Sequence, residues 1–242
     1  MQDPKAIAMI PARIGSTRLP MKNLALLDGQ PLISYAIQAA KESGVFDRVI
    51  INADVPLFAK IAERYGVEFY LRPTELGSSS TKSDDVVLDF IQKHPCDILA
   101  WVNPTSPLQT GQEVRDVVHY FNDHNLDTLI TTNNAQVHAN FEGRPLNYVT
   151  NKLFAQTQDL TPVELFVYSI MMWRTAPFIN DYQSQGYAFF VGKTGFFPVS
   201  KETAIIIKRQ EDLRLAEYIM KARKAGEAAL EYDPLAAAAS GK

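Results

Sequence analysis

A group of basic residues near the N-terminus is the part of this sequence best suited to chemistry. Arg13, Arg18 and Lys22 lie close together in a segment that also contains Gly15, and no acidic residue occurs from residue 5 to 26. Fixed cations can offset the charge of a triphosphate, and a glycine lets backbone N–H groups approach its oxygens. The segment is neither a Walker A loop nor a dinucleotide-binding turn. Its spacing alone is also compatible with an ordinary solvated basic loop.

The elements that must position this loop alternate between strand and helix patterns. Short apolar runs predict strands at residues 6–10, 48–51, 67–71, 98–102 and 128–132. Helical spacing of apolar residues predicts helices at 32–41, 57–65, 83–92 (with Ser83 as the N-cap) and 113–121. This order predicts an α/β fold with a mostly parallel, doubly wound, Rossmann-like sheet. Ligands bind such sheets beyond the carboxyl ends of the strands, so the loops after Ile10, Ile51 and Val102 should form the site.

The second half of the sequence departs from this alternation. Residues 133–165 are polar and lack a clear helix, so we interpret the region of about 133–180 as an excursion, either a β-arm or a dimerisation element. Further strands are predicted at 165–173, 187–191 and 204–207, with a closing amphipathic helix at 211–225. Residues 1–232 are expected to form a single domain, and residues 233–242 a flexible tail.

Composition limits the classes of function. With 242 residues and 46% hydrophobic content, the chain can build a large core without disulfides. No apolar run approaches the roughly 20 residues of a membrane span, and the net charge of −3 argues against a general nucleic-acid binder. The single cysteine, Cys96, is interpreted as a small buried residue rather than a nucleophile, and it suits a cytoplasmic protein. The four histidines do not have the spacing of zinc ligands.

Three segments together resemble a known family. They are residues 10–23 (IPARIGSTRLPMKN), residues 71–76 (LRPTEL) with the Ser/Thr-rich stretch that follows to Ser83, and residues 103–108 (NPTSPL). Their order and spacing resemble the motifs of the CMP-sialic acid synthetases, also called acylneuraminate cytidylyltransferases. The resemblance implies a fold of the nucleotide-diphospho-sugar transferase type. It also implies a Mg²⁺-dependent reaction in which CMP is transferred from CTP to an acidic nine-carbon 2-keto sugar, with release of pyrophosphate.

The resemblance also implies roles for individual residues. Arg13, Ser16 and Lys22 would hold the phosphates, and Asn23, Arg72 and Ser83 the cytidine, while Thr105 and Ser106 lie beside the nucleotide. Arg13 and Lys22 would be catalytic together with Asn103, which replaces a glutamine of the family. Asp54 would bind magnesium, and Phe189 and Phe190 match an aromatic pair at the sugar pocket. Each role has a structural alternative: Ser83 could be only a helix cap, Arg72 a surface ion-pair member, Asp54 a turn residue, and the phenylalanines part of a core strand.

Two motifs of the family are missing. The positions of its metal-binding Asp-x-Asp pair hold Ile206 and Lys208, which cannot provide oxygen ligands to magnesium. Its sugar-carboxylate motif, Arg-x-Asn-Gly, should fall on residues 166–169, which read Phe-Val-Tyr-Ser. Nearby Asp212 is expected to cap the closing helix.

Three explanations for these departures remain open. Lys208 or Arg209 could replace the charge of one metal ion, magnesium could be held by Asp54 and the triphosphate alone, or catalysis could be lost. The expected function is therefore cytidylyl transfer to an acidic 2-keto sugar by a homodimer. The alternatives are a different acceptor (a phosphonate or an eight-carbon keto sugar) and a non-catalytic nucleotide-binding protein.

Overall fold

The computed structural model describes residues 5–78, 80–226 and 230–233. The first part of the chain forms strand β1 (Ala6–Ala12), the short strands β2 (Leu26–Leu27) and β3 (Gln30–Pro31), helix α1 (Ile33–Ser43), β4 (Arg48–Ala53), α2 (Leu57–Tyr65), β5 (Glu68–Leu71), α3 (Ser83–Lys93), β6 (Ile98–Val102), α4 (Gly111–Asp123) and β7 (Thr128–Ala135). The remainder forms β8 (Asn140–Phe141), β9 (Arg144–Pro145), β10 (Val163–Arg174), α5 (Thr175–Gln185), β11 (Thr194–Pro198) and α6 (Gln210–Ala225).

Seven of these strands form one sheet in the order β11-β7-β10-β6-β1-β4-β5. β10 runs antiparallel to both of its neighbours, and the other pairings are parallel. The prediction of a mostly parallel α/β sheet is therefore confirmed. Because β1, β4 and β6 end at the same edge, the loops that follow them meet there.

The sheet is covered on both faces, as its apolar strands require. Alternate residues of β1 point to opposite faces, so Ala8 and Ile10 pack with α1, α2 and α4, while Ile7 and Met9 pack with α3 and α5. Local signals set several helix ends. Gly66 closes α2 in the left-handed conformation with φ 62°, and the Thr110 side chain accepts the Glu113 N–H at the start of α4.

Two predicted strands and one predicted helix cap are wrong. Residues 187–191 form no strand, because the Ala188 and Val191 N–H groups donate to the side chains of Asp84 (2.6 Å) and Thr128 (3.0 Å) instead of to a neighbouring strand. Residues 204–207 also lie outside the strands, and Ile207 N–H bonds to a loop carbonyl.

Helix α3 begins at Ser83, but the residue before it occupies the N-cap position and no side chain caps the helix. Helix α5 and strand β11 were not predicted. The predicted flexible tail lies outside the described residues except for its first residue.

Within the region predicted as an excursion, residues 136–162 form an arm that carries the β8–β9 hairpin, and the residues that follow belong to β10 and α5. Large apolar side chains are exposed on this arm, including Phe141, Leu153 and Phe154. None of the helices in residues 5–78, 80–226 and 230–233 combines the length and the apolar character of a membrane span.

Candidate active site

A cavity of about 320 Å³ opens at the carboxyl edge of the sheet, where the loops after β1, β5 and β6 meet the start of α3. This is the position that a doubly wound sheet provides for ligands. The cavity is lined by many of the residues predicted for the nucleotide: Arg13, Ser16, Lys22, Asn23, Arg72, Ser83, Asn103 and Thr105. The structure therefore brings together three segments that are far apart in the chain.

The basic loop after β1 is held in place by hydrogen bonds. The Ile14 N–H donates to Asp54 Oδ1 at 3.0 Å, and Asn23 Nδ2 donates to the Arg13 carbonyl at 3.4 Å. Asn23 is buried, and its Oδ1 has no hydrogen-bond partner. A buried acceptor without a partner is costly in a folded protein. Asn23 lines the cavity, so this unsatisfied acceptor lies in the cavity wall.

Lys22 connects the basic loop to the segment before α6. Its ammonium group donates to the Ile207 carbonyl at 2.9 Å. Burial lowers the pKa of Lys22 below its ordinary value, and the neighbouring cations Arg18 and Arg13 lower it further. Such crowding of positive charge destabilises the protonated amine. An anion that enters the cavity would relieve this repulsion.

Arg72 is buried, with 6% of its surface exposed, and it is not the surface ion-pair member that the sequence left open. Its Nη1 donates to the Asn52 carbonyl at 3.0 Å, while its Nε has no partner. Burial lowers the pKa of Arg72, and the negative charge of Asp54 opposes this effect. An arginine with an unused buried donor at a cavity wall is well suited to bind carbonyl or hydroxyl oxygens.

Asn103 holds the loop after β6 with both ends of its amide. Its Oδ1 accepts from the N–H (3.1 Å) and the hydroxyl (2.8 Å) of Thr105, and its Nδ2 donates to the Tyr168 carbonyl at 3.1 Å. The Thr105 carbonyl in turn accepts the Ile207 N–H at 2.8 Å. Asn103 is thus placed to position the cavity wall. Ser106 follows in the same loop, buried but outside the cavity lining.

Four other predicted site residues lie outside the cavity lining: Asp54, Lys208, Phe189 and Phe190. Asp54 supports the basic loop, and it also packs so closely on Gly77 that a Cβ there would lie 2.8 Å from the Asp54 Cβ. Phe189 packs against Trp173 in the core and accepts its indole N–H through the backbone carbonyl at 2.9 Å. Phe190 is more than half exposed.

The residues present do not fit a magnesium site held by the protein. Within the described ranges, no group of three or more His, Cys, Asp or Glu residues could hold a metal ion. Ile206 and Lys208 provide no oxygen ligand from their side chains. Asp212 Oδ2 is occupied by the N–H groups of Lys208 (2.8 Å) and Arg209 (2.7 Å), which confirms that Asp212 caps α6.

Some cavity residues were missed at the sequence level, namely Ser78, Thr81 and Trp101. The signal for Trp101 was present, because side chains two apart on a strand share a face and Trp101 lies two residues before Asn103. Its indole nitrogen is buried without a hydrogen-bond partner. Ser78 and Thr81 stand in the Ser/Thr-rich loop, where no periodicity distinguishes one hydroxyl from the next.

The sheet and the cavity define an α/β protein with a cavity lined by basic and polar residues at the strand ends. The chain belongs to the cytidylyltransferase family, whose model matches residues 7–223. The resemblance inferred from the three segments is thereby confirmed.

Among curated relatives, the N-acylneuraminate cytidylyltransferase of Streptococcus agalactiae serotype V is 26% identical over 217 residues, covering 86% of this chain and 51% of that protein. The Escherichia coli O18:K1:H7 protein of the same name is 38% identical over 48% of this chain and 28% of its own length. The CMP-N,N'-diacetyllegionaminic acid synthase of Legionella pneumophila is 33% identical over 47% of this chain and 52% of that protein. The chain therefore spans about half the length, or less, of these relatives.

Solved structures share the fold. A CMP:2-keto-3-deoxy-manno-octonic acid synthetase in complex with CTP aligns with a TM-score of 0.69 and 17% identity, covering 90% of this chain and 98% of that one. A 4-diphosphocytidyl-2C-methyl-D-erythritol synthase from Anaerococcus prevotii aligns with a TM-score of 0.63 and 10% identity, covering 90% and 99%. At these identities the likeness is one of architecture.

Proposed function

We propose that this chain is a cytidylyltransferase that binds CTP in the basic cavity and transfers CMP to an acidic keto sugar, with release of pyrophosphate. The observation that carries the proposal is the lining of the cavity. It contains Arg13, Lys22 and Arg72, and none of the lining residues in the described ranges is acidic. Membership in the cytidylyltransferase family supports cytidine as the nucleoside.

The nucleotide would lie across the cavity from the basic loop to the start of α3. Arg13, Ser16 and Lys22 would hold the phosphates. The base and ribose would contact Asn23, Arg72 and Ser83. Cytosine carries an exocyclic amino group that donates hydrogen bonds, whereas a pyrimidine with a carbonyl at the same ring position has no donor in that place. The unpaired Oδ1 of Asn23 is a suitable acceptor for such a donor.

In the reaction, an acceptor oxygen would attack the α-phosphorus of CTP. A new P–O bond forms, the bond to the β-phosphate oxygen breaks, and the acceptor proton leaves to solvent. Negative charge grows on the departing pyrophosphate, so fixed cations beside it lower the barrier. Lys22 and Arg13 are the cavity residues for this role. Asn103 would contribute by positioning the loop that borders the attacking oxygen.

Lys208 is proposed to add a further positive charge near the phosphates. It follows Ile207, whose carbonyl accepts the Lys22 ammonium, and it lies near enough to contribute to the lowered pKa of Lys22. A lysine can act as a point charge beside a phosphate. Magnesium would then arrive with the triphosphate, coordinated mainly by its oxygens and by water, as is common for this ion.

Pyrophosphate release is the direct test of this proposal. CTP, UTP and ATP are each incubated with magnesium and with N-acetylneuraminic acid, 2-keto-3-deoxy-manno-octonic acid, a phosphonate or no acceptor. Release that needs both CTP and a keto sugar supports the proposal. Release with the phosphonate alone would replace the acceptor class. Equal release with all three nucleotides would contradict the cytidine assignment.

A non-catalytic nucleotide-binding protein is the second candidate, favoured by Ile206 and Lys208 at the metal-ligand positions. It predicts that CTP raises the melting temperature while no acceptor elicits pyrophosphate release. Loss of both effects would exclude both candidates.

We further propose that the arm joins two copies of the chain. Phe141 and Phe154 are each 66% exposed there, and Leu153 is 96% exposed, a pattern typical of an interaction surface. Light scattering should give the mass of a dimer, and Leu153→Asp should reduce it to that of a monomer. A monomeric wild-type protein would contradict this proposal.

A further inference from the structure

The connection between β11 and α6, residues 199–209, borders the cavity and is fastened to it at Ile207. The Ile207 N–H donates to the Thr105 carbonyl at 2.8 Å, and the Ile207 carbonyl accepts the Lys22 ammonium at 2.9 Å. Both partners line the cavity. Residues 199–209 form neither helix nor strand, so side-chain contacts and isolated backbone bonds must fix their path.

Glu113, in the first turn of α4, holds this connection with both oxygens of its carboxylate. Oε1 accepts the Ser200 N–H at 2.8 Å, and Oε2 accepts the Thr203 hydroxyl at 2.6 Å. Ser200 and Thr203 also bond to each other, through the Ser200 hydroxyl at 3.0 Å and the Thr203 N–H at 3.1 Å. Thr203 is buried, and hydrogen bonds to a carboxylate are stronger than those between neutral groups. Glu113, Ser200 and Thr203 thus form a clamp between α4 and the connection.

The clamp uses a carboxylate that the local sequence would employ differently. Thr110 caps α4 and accepts the Glu113 N–H at 3.1 Å. A Thr-x-x-Glu spacing is that of a capping box, in which the glutamate bonds back to the N–H of the capping residue. Here the carboxylate oxygens instead reach partners that lie 87 and 90 positions away in the chain. Glu113 therefore fixes a distant loop in place of completing the capping box of its own helix.

The clamp lies one turn of chain before the bonds at the cavity. The Ala204 N–H donates to the Ser200 carbonyl and the Ile205 N–H to the Glu202 carbonyl, each at 3.0 Å, so the chain turns immediately after the clamp. Ile207 follows directly and is fully buried. A close-packed interior transmits displacements rather than absorbing them. A shift of the clamp should therefore reach the Ile207 carbonyl and the ammonium group bonded to it.

From these contacts we propose that Glu113 is a positioning residue of the site: its carboxylate fixes the β11–α6 connection against α4, so that the Ile207 carbonyl holds the Lys22 ammonium at the cavity. The proposal rests on the proposed cytidylyl transfer. Glu113 is not among the cavity-lining residues, so it acts through Lys22. Misplacement of a reacting group by about 1 Å can reduce a rate about a hundredfold, and a carboxylate outside the cavity can therefore govern the reaction.

Single-turnover pyrophosphate release, from CTP and the keto sugar that gives release with the wild-type protein, tests this role. Glu113→Ala removes both oxygens and should lower the rate about tenfold or more. Glu113→Gln should stay within about threefold of the wild-type rate, because its carbonyl can accept the Ser200 N–H and its amide can donate to the Thr203 hydroxyl. Arg115→Ala, the matched control, breaks a bond of 2.8 Å from the same helix to the Ser43 carbonyl of α1 and should leave the rate unchanged.

Two further readouts separate the positioning of Lys22 from a general loss of structure. In a Lys22→Ala background, Glu113→Ala should change the rate less than about twofold, because the ammonium group that it positions is already absent. Competitive acetylation of Lys22, followed by mass spectrometry across the alkaline range, measures the pKa of the amine without turnover. Burial lowers that pKa in the wild-type protein, so release of the ammonium group into solvent by Glu113→Ala should raise it toward its ordinary value.

A wild-type rate for Glu113→Ala would overturn the proposal, as would an equal loss of rate in the Lys22→Ala background or an unchanged pKa of Lys22. Glu113→Gln as impaired as Glu113→Ala would also overturn it, since charge rather than position would then be responsible. If Glu113→Ala does not fold, Thr203→Val, which removes only the hydroxyl of the clamp, is measured in its place with the same direction of change expected. Absence of pyrophosphate release from the wild-type protein would contradict the proposed function, whereas the acetylation of Lys22 would still decide whether the clamp holds the amine.

Discussion

Replacement of Lys22 by alanine tests the charge arrangement of the site most directly. The Lys22 ammonium lies at the junction of the basic loop and the segment before α6, where it donates to the Ile207 carbonyl at 2.9 Å. Arg13 and Arg18 lie near enough to lower its pKa. The substitution removes one cation from the region where pyrophosphate charge should develop, and it leaves both arginines in place.

Lys22→Ala should reduce the rate of the reaction far more than it reduces the stability of the fold. Loss of one donor to a developing anion typically reduces the rate by about 10²–10³, or about 2.7–4 kcal/mol. The folded protein loses the bond to Ile207, which for a charged donor is worth about 1.5–3 kcal/mol. Relief of the repulsion from the neighbouring cations offsets part of that loss. We therefore expect a severe loss of turnover with a modest change in the free energy of unfolding.

The assay follows pyrophosphate release under single-turnover conditions, together with the melting temperature of each variant. Lys201→Ala is the matched control, because Lys201 is an exposed lysine in the turn that precedes the same segment. Turnover of Lys22→Ala within a few-fold of the wild-type value would refute the assignment. A collapse of the melting temperature would show instead that Lys22 acts through the fold.

Three further predictions concern the same cavity. Burial lowers the pKa of Lys22 below its ordinary value, so CTP affinity should fall as the pH rises through that lowered pKa. Lys22→Arg should remove this dependence, as measured by calorimetry across the alkaline range. Asp54→Asn retains an oxygen that can accept the Ile14 N–H, so CTP affinity should change less than about threefold. Asp54→Ala loses that bond and should weaken CTP affinity about tenfold. Equal effects of the two variants would contradict a role of Asp54 in holding the loop. Arg72→Lys loses the planar fork that bonds Asn52, so the Kd for CTP should rise about tenfold or more by calorimetry, and an unchanged Kd would place the nucleotide elsewhere.

The lining of the cavity was largely predictable because its information is local. The basic loop that begins at Arg13 and residues 103–108 each follow a buried strand directly, and parallel strands carry their loops to one edge of the sheet. The order of the segments then brings Arg13, Lys22 and Thr105 to one cavity. The burial and hydrogen bonding of each side chain could not be predicted from the sequence. The burial of Arg72 and the unpaired oxygen of Asn23 depend on contacts with residues distant in the chain.

The errors in the second half have a common cause. Residues 187–191 (YAFFV) have the composition of a strand. Their backbone donors are instead satisfied by Asp84, at the start of α3, and by Thr128, at the start of β7. Side-chain acceptors of this kind compete with strand pairing, and neither is adjacent in sequence. Local propensity therefore identifies a buried segment here, but the choice between strand and loop is made by tertiary contacts.

Residues 204–207 were also predicted as a strand, and tertiary contacts again decide their conformation. Their apolar character comes from packing, because Ile207 is fully buried with Leu27, Leu32 and Leu108, and Ile205 packs against this cluster. The Ile207 backbone joins two cavity walls, since its N–H bonds to Thr105 and its carbonyl accepts from Lys22.

These backbone bonds do not depend on the side chains at positions 206 and 208. The segment can therefore keep its path beside the cavity while an isoleucine and a lysine stand where the resemblance places metal-binding aspartates. The backbone of this segment holds Lys22 through the Ile207 carbonyl. Lys208 provides a positive charge where the resemblance places a negatively charged aspartate. For this reason the absence of the acidic pair does not by itself argue against the proposed nucleotide site.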